Sequence, residues 1–369
     1  MKKRVVVGLS GGVDSAVAAY LLKKEGYDVI GLFMRNWDSS INNDTLGNPN
    51  INNNICPQEQ DYNDAQEVAN KLGIPLHRVD FIKEYWDDVF TYFLKELKLG
   101  RTPNPDLMCN KYIKFDLFVK EALKYKADYI ATGHYAKTKD NHLYRGTDRN
   151  KDQSYFLAQL SSKQLNNVLF PVGDLTKTEV RKIANEIGLN VAIKKDSTGI
   201  CFIGERNYQA FLKNYLKPNP GEIIDIETNK VVGEHTGLMN YTIGQRKNVG
   251  LSGDKERHFV VGKDIDKNIL YVAFKEDNRY LYSDACLIDS VNFISDKRPE
   301  KCTAKFRYRS TDIPVNLEYL DNNTILVKYP NKAKAVTPGQ ACVLYLEEEC
   351  LGSGIIKEIY KNNTKLWYL

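Results

Sequence analysis

The chain has 369 residues, of which 42% are hydrophobic, and 52 Lys or Arg against 47 Asp or Glu give a net charge of +5. This length suits two or three domains with cores of their own, and the composition excludes a disordered chain. The small positive charge is compatible with a polyanionic partner but does not by itself indicate one. Seven cysteines, an odd number, and no apolar leader predict a cytoplasmic protein without a disulfide framework. No apolar run could cross a bilayer, so no membrane association is expected.

Strand and helix patterns alternate through the first half of the chain. Apolar runs predict strands over residues 4–9, 28–34, 75–81 and 129–132, and the stretches between them predict helices over 13–24, 61–72, 85–99 and 111–125. A further helix is expected from residue 178, because Thr176 and Glu179 have the spacing of a capping box. This alternation predicts an α/β fold with a doubly wound parallel sheet, whose ligands lie at the carboxyl ends of the strands.

The rest of the chain has a different texture. Residues 38–60 are rich in asparagine, lack periodicity and predict a long, mobile loop. After a helix over 208–216, short alternating strands predict a β-rich half that ends in a small barrel. We therefore expect an α/β domain over 1–206, a small central domain over 207–280 and a C-terminal β-barrel over 281–369.

A glycine-rich turn follows the first predicted strand, with the sequence Gly8-Leu9-Ser10-Gly11-Gly12-Val13-Asp14-Ser15. Its glycines let the backbone approach a phosphate, which the N–H groups of the turn and of the next helix would face. The serines can donate hydrogen bonds, and Asp14 could orient the turn or help hold a magnesium ion. The spacing is neither that of a Walker A loop nor that of the dinucleotide fingerprint. A plain strand-to-helix turn is the alternative.

Two cysteines stand out by their sequence context. Cys109 follows a proline-containing stretch, and we expect a helix to start near Asn110, whose dipole would favour the thiolate. Asp106 could exchange a proton, although its charge would oppose a nearby thiolate. Cys201 is close in sequence to two lysines and an arginine, which also favour a thiolate. For each cysteine, a small buried core residue is the alternative.

The remaining candidate ligands carry no comparable signal. The five other cysteines are expected to have no special role, and they are Cys56, Cys286, Cys302, Cys342 and Cys350. There is no C-x-x-C pair, so neither zinc nor an iron–sulfur cluster is expected. The five histidines lack ligand spacing, so His134 is interpreted as structural or close to a bound nucleotide, and no metal site is predicted.

Taken together, these segments resemble the MnmA family of tRNA-specific 2-thiouridylases, which belongs to the PP-loop ATP pyrophosphatases. The resemblance runs along most of the chain. Besides the 8–15 turn it rests on Thr102-Pro103-Asn104-Pro105-Asp106 with Cys109-Asn110, Ala131-Thr132-Gly133-His134-Tyr135-Ala136, Lys151-Asp152-Gln153-Ser154-Tyr155, Asp196-Ser197-Thr198-Gly199-Ile200-Cys201-Phe202-Ile203-Gly204, Tyr241-Thr242-Ile243-Gly244-Gln245-Arg246, Arg307-Tyr308-Arg309 and Ala335-Val336-Thr337-Pro338-Gly339-Gln340. This set in this order is far more specific than any one segment.

The resemblance implies an enzyme that replaces the C2 oxygen of a tRNA wobble uridine with sulfur. Mg-ATP would adenylate that oxygen, and pyrophosphate would leave into the 8–15 turn. Cys201 would carry a persulfide received from a cysteine desulfurase or a sulfur-carrier protein, and attack by Cys109 would leave a Cys109–Cys201 disulfide. Release of free hydrosulfide from Cys201 is a possible variant. Asp106 would handle the proton.

The resemblance also implies binding residues. Met34 would pack on the adenine, and Gly133 would approach the nucleotide. The implied tRNA contacts are Asn104, Pro105 and Asp106 at the target base, Lys151, Asp152 and Gln153 nearby, and Arg307 and Tyr308 from the barrel. An arginine beside an aromatic ring suits a flipped base. Without the resemblance, Met34 is a core residue and the polar segments are a solvated loop and an edge strand.

Two other functions remain compatible with parts of the sequence. Another PP-loop enzyme, such as a tRNA lysidine synthetase or an argininosuccinate-synthetase-like ligase, would need no paired thiols. A non-catalytic RNA-binding protein with a nucleotide sensor would bind tRNA without releasing pyrophosphate. The thiol in the 102–110 segment favours an enzyme, because a sensor has no need of it.

Overall fold

The first strand of the chain lies in the middle of a five-stranded parallel sheet. The structure is a computed structural model that describes residues 2–51, 57–196, 199–201, 203–251 and 258–369. Its first seven strands are β1 (Arg4–Gly8), β2 (Asp28–Arg35), β3 (Leu76–Asp80), β4 (Tyr129–Ala131), β5 (Ala136–Lys139), β6 (His142–Arg145) and β7 (Val168–Leu169). The parallel sheet has the order β3-β2-β1-β4-β7, and this confirms the predicted doubly wound sheet.

Alternate residues of β1 supply two separate cores. Val5 and Val7 pack with the small residues of helix α1 (Val13–Lys24), whereas Val6 packs on the other side of the sheet with Met34 and Trp37. Successive side chains of a strand point to opposite faces, so a sheet covered by helices on both faces needs an unbroken apolar strand here.

Helices cover both faces of this sheet. They are α1, α2 (Pro57–Leu72), a run formed by Ile82–Tyr85, Trp86–Phe90 and Thr91–Lys98, a run formed by Pro105–Met108, Cys109–Leu117 and Phe118–Lys124, and the separate helices Ser154–Leu157, Lys177–Glu186 and Tyr208–Leu212. The middle piece of each run is a π-helix, in which hydrogen bonds join residues five apart. The capping box is confirmed, because Thr176 Oγ1 accepts a hydrogen bond from Glu179 N, and Thr176 N donates to the Glu179 carboxylate.

Four predicted helix limits were wrong, and the first is that the helix expected from residue 85 begins at Ile82. The helix expected from residue 61 begins at Pro57, and the last helix ends at Leu212 rather than at residue 216. The helix expected near Asn110 begins at Pro105, because the Asn104 side chain accepts a hydrogen bond from Asp106 N at 3.1 Å and proline suits the first helical position. Cys109 therefore lies inside a helical run, one turn after its start.

The described part of the asparagine-rich stretch, residues 38–51, is fastened to the protein, unlike the mobile loop expected there. Asp44 is fully buried, and one of its carboxylate oxygens accepts hydrogen bonds from Trp37 Nε1 at 3.0 Å and from Arg206 Nη2 at 2.7 Å. Leu46 N donates to Asn214 Oδ1 at 3.0 Å. Cys56 lies outside the described residues.

Two β-rich bodies follow the parallel sheet. The central one has the order β10-β11-β8-β9, with β8 (Gly221–Asp225), β9 (Lys230–His235), β10 (His258–Asp264), β11 (Ile269–Phe274) and the 3₁₀ turns Leu238–Asn240 and Arg279–Leu281. The last contains β12 (Tyr282–Phe293), β13 (Lys301–Lys305), β14 (Ile313–Tyr319), β15 (Ile325–Lys334), β16 (Ala341–Leu346), β17 (Glu349–Lys361) and β18 (Thr364–Lys365). Pairing of β12 with β17 closes the antiparallel barrel that the sequence predicts.

A hairpin from the first half of the chain joins this barrel. Strands β5 and β6, which the sequence analysis missed, pair with each other, and β6 also pairs with β17 through Leu143 and Cys350. The turn between them contains Asp140 and Asn141, both with positive φ, as a type I′ hairpin turn requires. The Asp140-Asn141 dipeptide is the sequence signal that could have predicted this hairpin.

Candidate active site: the glycine-rich turn and the paired thiols

The turn between β1 and α1 is shaped by one glycine and one serine. Gly11 has a φ of +72°, and a Cβ there would lie 2.2 Å from the carbonyl oxygen of Asp61, so only glycine fits. Ser15 Oγ accepts a hydrogen bond from Ser10 N and donates one to the carbonyl of Gly12, both at 3.1 Å. Leu9 and Val13 are buried and anchor the turn in the core, so its backbone is held in one conformation.

Asp14, at the start of α1, is paired with a lysine. Its carboxylate accepts hydrogen bonds from Lys177 Nζ at 2.7 and 2.8 Å and from Tyr135 OH at 2.7 Å. Lys177 also contacts Asp196 at 2.8 Å, and Asp196 accepts a hydrogen bond from Lys151 Nζ at 2.7 Å. The lysines hold the pKa of Asp196 below its usual range despite partial burial. An ionic network thus links the turn to the segment that carries Cys201.

Met34 and Gly133 lie where strands β2 and β4 end. The Met34 methyl is 3.7 Å from the position a Cβ on Gly8 would take, and Met34 is otherwise buried in the core. A Cβ on Gly133 would lie 2.6 Å from Ser15 N, so the chain after β4 runs directly against the start of α1. The structure therefore brings both residues to the glycine-rich turn.

The two singled-out thiols meet in the structure. Cys109 Sγ lies 3.6 Å from Cys201 Sγ. Around them, Asp106 Oδ1 accepts a hydrogen bond from Cys201 N at 3.2 Å, and Tyr85 OH donates to the carbonyl of Cys201 at 2.7 Å. Both backbone polar groups of Cys201 are thus held by residues of the α/β domain.

The two thiols differ in acidity. Burial raises the pKa of Cys109 well above its usual value, which opposes the expected helix-dipole effect, and the thiol lies one turn inside the helical run rather than before its start. The pKa of Cys201 is lowered, because the Cys109 thiol donates a hydrogen bond to it and the Lys114 ammonium is close. Burial raises the pKa of Asp106. The site therefore makes Cys201 the more acidic of the two thiols.

The positive charge beside Cys201 has an unexpected source. The cations near Cys201 in sequence have other partners. Lys194 Nζ donates to the carbonyl of Gly11 at 2.9 Å and to Asp61 at 2.8 Å, and Arg206 is paired with the buried Asp44. Lys195 is exposed. Lys114 supplies the positive charge near the Cys201 sulfur, and Tyr85 binds the Cys201 carbonyl. Both residues were missed from the sequence, since each is far from Cys201 along the chain.

Several of the residues suggested as tRNA contacts already have hydrogen-bond partners within the protein. Asn104 caps the helix that Pro105 begins. Asp152 is buried, and its carboxylate accepts hydrogen bonds from the N–H groups of Gly146 and Ser154 at 3.1 Å. Gln153 Oε1 accepts a hydrogen bond from Tyr135 N at 3.0 Å. Asp152 and Gln153 therefore hold the loop that carries Lys151.

A basic cavity lies between that loop and the barrel. It has a volume of about 410 Å³ and is lined by Arg149, Asn150, Lys151, Lys305, Tyr308, Arg309 and Ser310. The Tyr308 ring packs against Phe156, with ring centroids 4.4 Å apart. Arg307 points elsewhere, because its Nη2 donates to the carbonyl of Ile243 and to Thr337 Oγ1, both at 2.7 Å. The structure brings Lys151 and Tyr308 together and uses Arg307 as a brace between the two β-rich bodies.

The other candidate ligands contribute no cluster. Within the described residues, no three His, Cys, Asp or Glu side chains are grouped so that they could hold a metal ion. His134 is buried, lies 2.7 Å from Thr132 Oγ1 through Nδ1, and has its pKa lowered by burial. Cys286, Cys342 and Cys350 are buried in the barrel, and Cys302 is half-buried there. None of the described helices is long and apolar enough to span a membrane.

The parallel sheet of order β3-β2-β1-β4-β7, with the sequence Ser-Gly-Gly-Val-Asp-Ser in the turn between β1 and α1, defines a protein with the PP-loop fold. Family models described as tRNA methyl transferase HUP domain, tRNA methyl transferase PRC-barrel domain and Aminomethyltransferase beta-barrel domain match residues 3–205, 209–274 and 283–356. The chain is 60% identical to a tRNA-specific 2-thiouridylase MnmA of Mycoplasmopsis synoviae, over 100% of this chain and 99% of the relative. It is 58% identical to that of Mesoplasma florum, over 96% and 99%. The chain belongs to the tRNA-specific 2-thiouridylase MnmA family, a family of tRNA sulfurtransferases.

Proposed function

We propose that this protein uses ATP to convert the wobble uridine of tRNA into 2-thiouridine, with AMP and pyrophosphate as the other products. The observation that carries this proposal is the pair of cysteine sulfurs, 92 positions apart in sequence and 3.6 Å apart in space, in a chain of the 2-thiouridylase family.

The first half of the reaction takes place at the 8–15 turn. The uracil C2 oxygen attacks the α-phosphorus of Mg-ATP, pyrophosphate leaves, and the oxygen then departs later as part of AMP. Backbone N–H groups of the turn and the N-terminus of α1 bind the phosphates. Met34 packs on the adenine, and Gly133 allows the nucleotide to approach. Asp14 orients the turn through Lys177, since its carboxylate is already paired with that ammonium group.

The second half uses the two cysteines. A cysteine desulfurase or a sulfur carrier loads Cys201 as a persulfide, whose terminal sulfur attacks C2 and displaces AMP. Cys109 then attacks Cys201 Sγ, which forms the disulfide and leaves the terminal sulfur on C2. Asp106 takes the proton that Cys109 loses, and burial raises the pKa of this carboxyl towards the range that suits proton transfer. A thiol reductant restores both cysteines, which fits a reducing cytoplasm.

The tRNA lies across all three proposed domains, 1–206, 207–280 and 281–369. Asn104, Pro105 and Asp106 contact the target base, and the basic cavity holds backbone phosphates of the anticodon loop. Four cations line this cavity, Arg149, Lys151, Lys305 and Arg309, and Tyr308 offers a ring for base stacking. Asp152, Gln153 and Arg307 act by positioning this surface.

The test is a thiolation assay with unmodified tRNA, Mg-ATP, a cysteine desulfurase and cysteine, followed by mercury-gel retardation. The wild-type protein is expected to give a retarded tRNA band and to release pyrophosphate. Cys109→Ser and Cys201→Ser are each expected to abolish the band, whereas Cys302→Ser, a half-buried barrel cysteine, is the matched control and keeps it. Full product with both site variants would favour another PP-loop chemistry, and binding of tRNA without pyrophosphate release would favour the sensor.

A further inference from the structure

The helix that carries Cys109 is underwound over an unusually long stretch. Its segment Cys109–Leu117 is π-helical over nine residues, and Phe115 departs from helical geometry with φ −116° and ψ 17°. In an α-helix, residues five apart point about 140° away from each other. In a π-helix the hydrogen bonds join residues five apart, which places them about one turn apart on the same face. Cys109 and Lys114 are five apart.

The π-helical turn thus directs a lysine towards the sulfurs. The Lys114 ammonium hydrogen-bonds Cys201, and both thiols and the Asp106 carboxylate raise its pKa, although burial opposes this. The groups that face Cys201 are Cys109 and Asp106 from the same helical run, Tyr85 from the neighbouring run, and Lys114. Among these described groups, Lys114 is the one cation, while Asp106 opposes a negative sulfur.

We propose that Lys114 is a further catalytic residue, which contacts the Cys201 sulfur and keeps it anionic, so that it can accept a sulfur atom and present the resulting persulfide. The relevance to catalysis rests on the proposed function, but the electrostatic claim can be tested without tRNA. A fixed cation beside a sulfur favours its thiolate and does not need to rearrange during the reaction. The π-helical stretch is the element that delivers it, as π-helical segments often do at functional sites.

The experiment measures the rate of iodoacetamide alkylation of Cys201 against pH, with peptide mass spectrometry to separate it from the other cysteines. In the wild type, the half-point is expected below the ordinary thiol value of about 8.5. Lys114→Met is expected to raise it by about 1 unit or more, and Lys114→Arg to restore most of the shift. Lys120→Gln is the matched control, because Lys120 is an exposed residue of the same helical run, paired with Asp116 at 2.8 Å.

A Lys114→Met alkylation profile that coincides with that of the wild type would overturn the proposal. A wild-type half-point at or above about 8.5 would also overturn it, and this half-point can be measured even if the variant does not fold. The thiolation assay is run in parallel. A shifted half-point without tRNA thiolation by the wild type would remove the proposed function and leave the thiolate-stabilising role of Lys114. Thiolation of tRNA with an unshifted half-point would support the proposed function and remove the thiolate-stabilising role of Lys114.

Discussion

Proton affinity separates the two site cysteines, although their sulfurs are in contact. Cys109 is fully buried, which penalises its thiolate, whereas Cys201 receives a hydrogen bond from the Cys109 thiol and has Lys114 close by. The pKa of Cys109 is therefore shifted upwards and that of Cys201 downwards, so Cys201 is the more acidic of the two thiols. This asymmetry suits a reaction in which Cys201 accepts sulfur first and Cys109 becomes a nucleophile only after it loses its proton.

Asp106→Asn separates the electrostatic and the proton-transfer effects of this carboxylate. Asparagine can still accept the hydrogen bond from Cys201 N, but it removes a negative charge that raises the pKa of Cys201. We expect the half-point of Cys201 alkylation to fall by about 1 unit, while tRNA thiolation drops at least tenfold because no group accepts the proton. Asp116→Asn, an ion-paired residue further along the same run, is the control. An unchanged half-point would contradict the charge effect.

Gly11→Ala and Gly12→Ala form a matched pair in the glycine-rich turn, which we propose binds the phosphates. Gly11 has a positive φ and no room for a Cβ, whereas a Cβ on Gly12 meets only Ser10 Oγ at 3.4 Å. We expect Gly11→Ala to cost about 1–3 kcal/mol of unfolding free energy and to abolish ATP binding, measured by chemical denaturation and calorimetry. Gly12→Ala is expected to retain most of the stability. Equal stabilities would show that the turn adapts its backbone.

At the scale of elements, helix ends and helix type decide what reaches the site. The Asn104 cap starts a helix early enough for Asp106 and Cys109 to lie on consecutive turns, and the π-helical stretch brings Lys114 round to them. On the other side, the capped helix Lys177–Glu186 presents Lys177 to Asp14. The two helix caps and the π-helical stretch are local features, and each places a charged side chain in the candidate site.

Thr176→Ala tests the capping box. The variant loses the side-chain acceptor for Glu179 N, which is expected to cost about 1 kcal/mol and to lower the melting temperature by about 2–4 °C. Because this helix holds Lys177 against Asp14, we also expect weaker ATP binding. Thr178→Ala, two positions on and exposed, is the control in calorimetry. The same melting temperature for both variants would show that tertiary contacts alone hold the helix.

At the scale of the whole molecule, the barrel is bonded into the α/β part rather than tethered to it. Strand β6 extends the barrel sheet, Tyr155 OH donates to the carbonyl of Ala341 at 3.0 Å, and Gln159 Nε2 donates to Ser353 Oγ at 3.0 Å. Arg307 joins the barrel to the central body. These contacts fix the basic cavity, which has one wall from each side, relative to the thiols.

Arg309→Ala tests the use of that cavity by tRNA. Arg309 is exposed and lines the cavity, so removing its charge is expected to weaken tRNA binding about equally for all accepted tRNAs. The slope of log affinity against log salt concentration should become shallower by about 1. The control is Lys328→Ala, a barrel lysine paired with Glu318 that does not line the cavity. An unchanged salt slope would place the tRNA backbone elsewhere.

The sequence by itself determined the features that depend on local pattern. The alternation of strands and helices, the glycine-rich turn, the capping box at Thr176 and the motifs of the family could all be read from neighbouring residues, because backbone preferences and side-chain periodicity act over a few positions. The short β5–β6 hairpin was missed although its Asp140-Asn141 turn is a local signal, whereas the pairing of β6 with β17 joins residues distant in the chain and has no local signal.

Only the tertiary structure decided how the site is assembled and charged. The contact of Cys109 with Cys201, the choice of Lys114 over Lys194 and Arg206 as the nearby cation, and the diversion of Arg307 into a brace all join positions that are distant in sequence. Their acidities follow from burial and from neighbours that packing brings together, and neither can be read from local pattern.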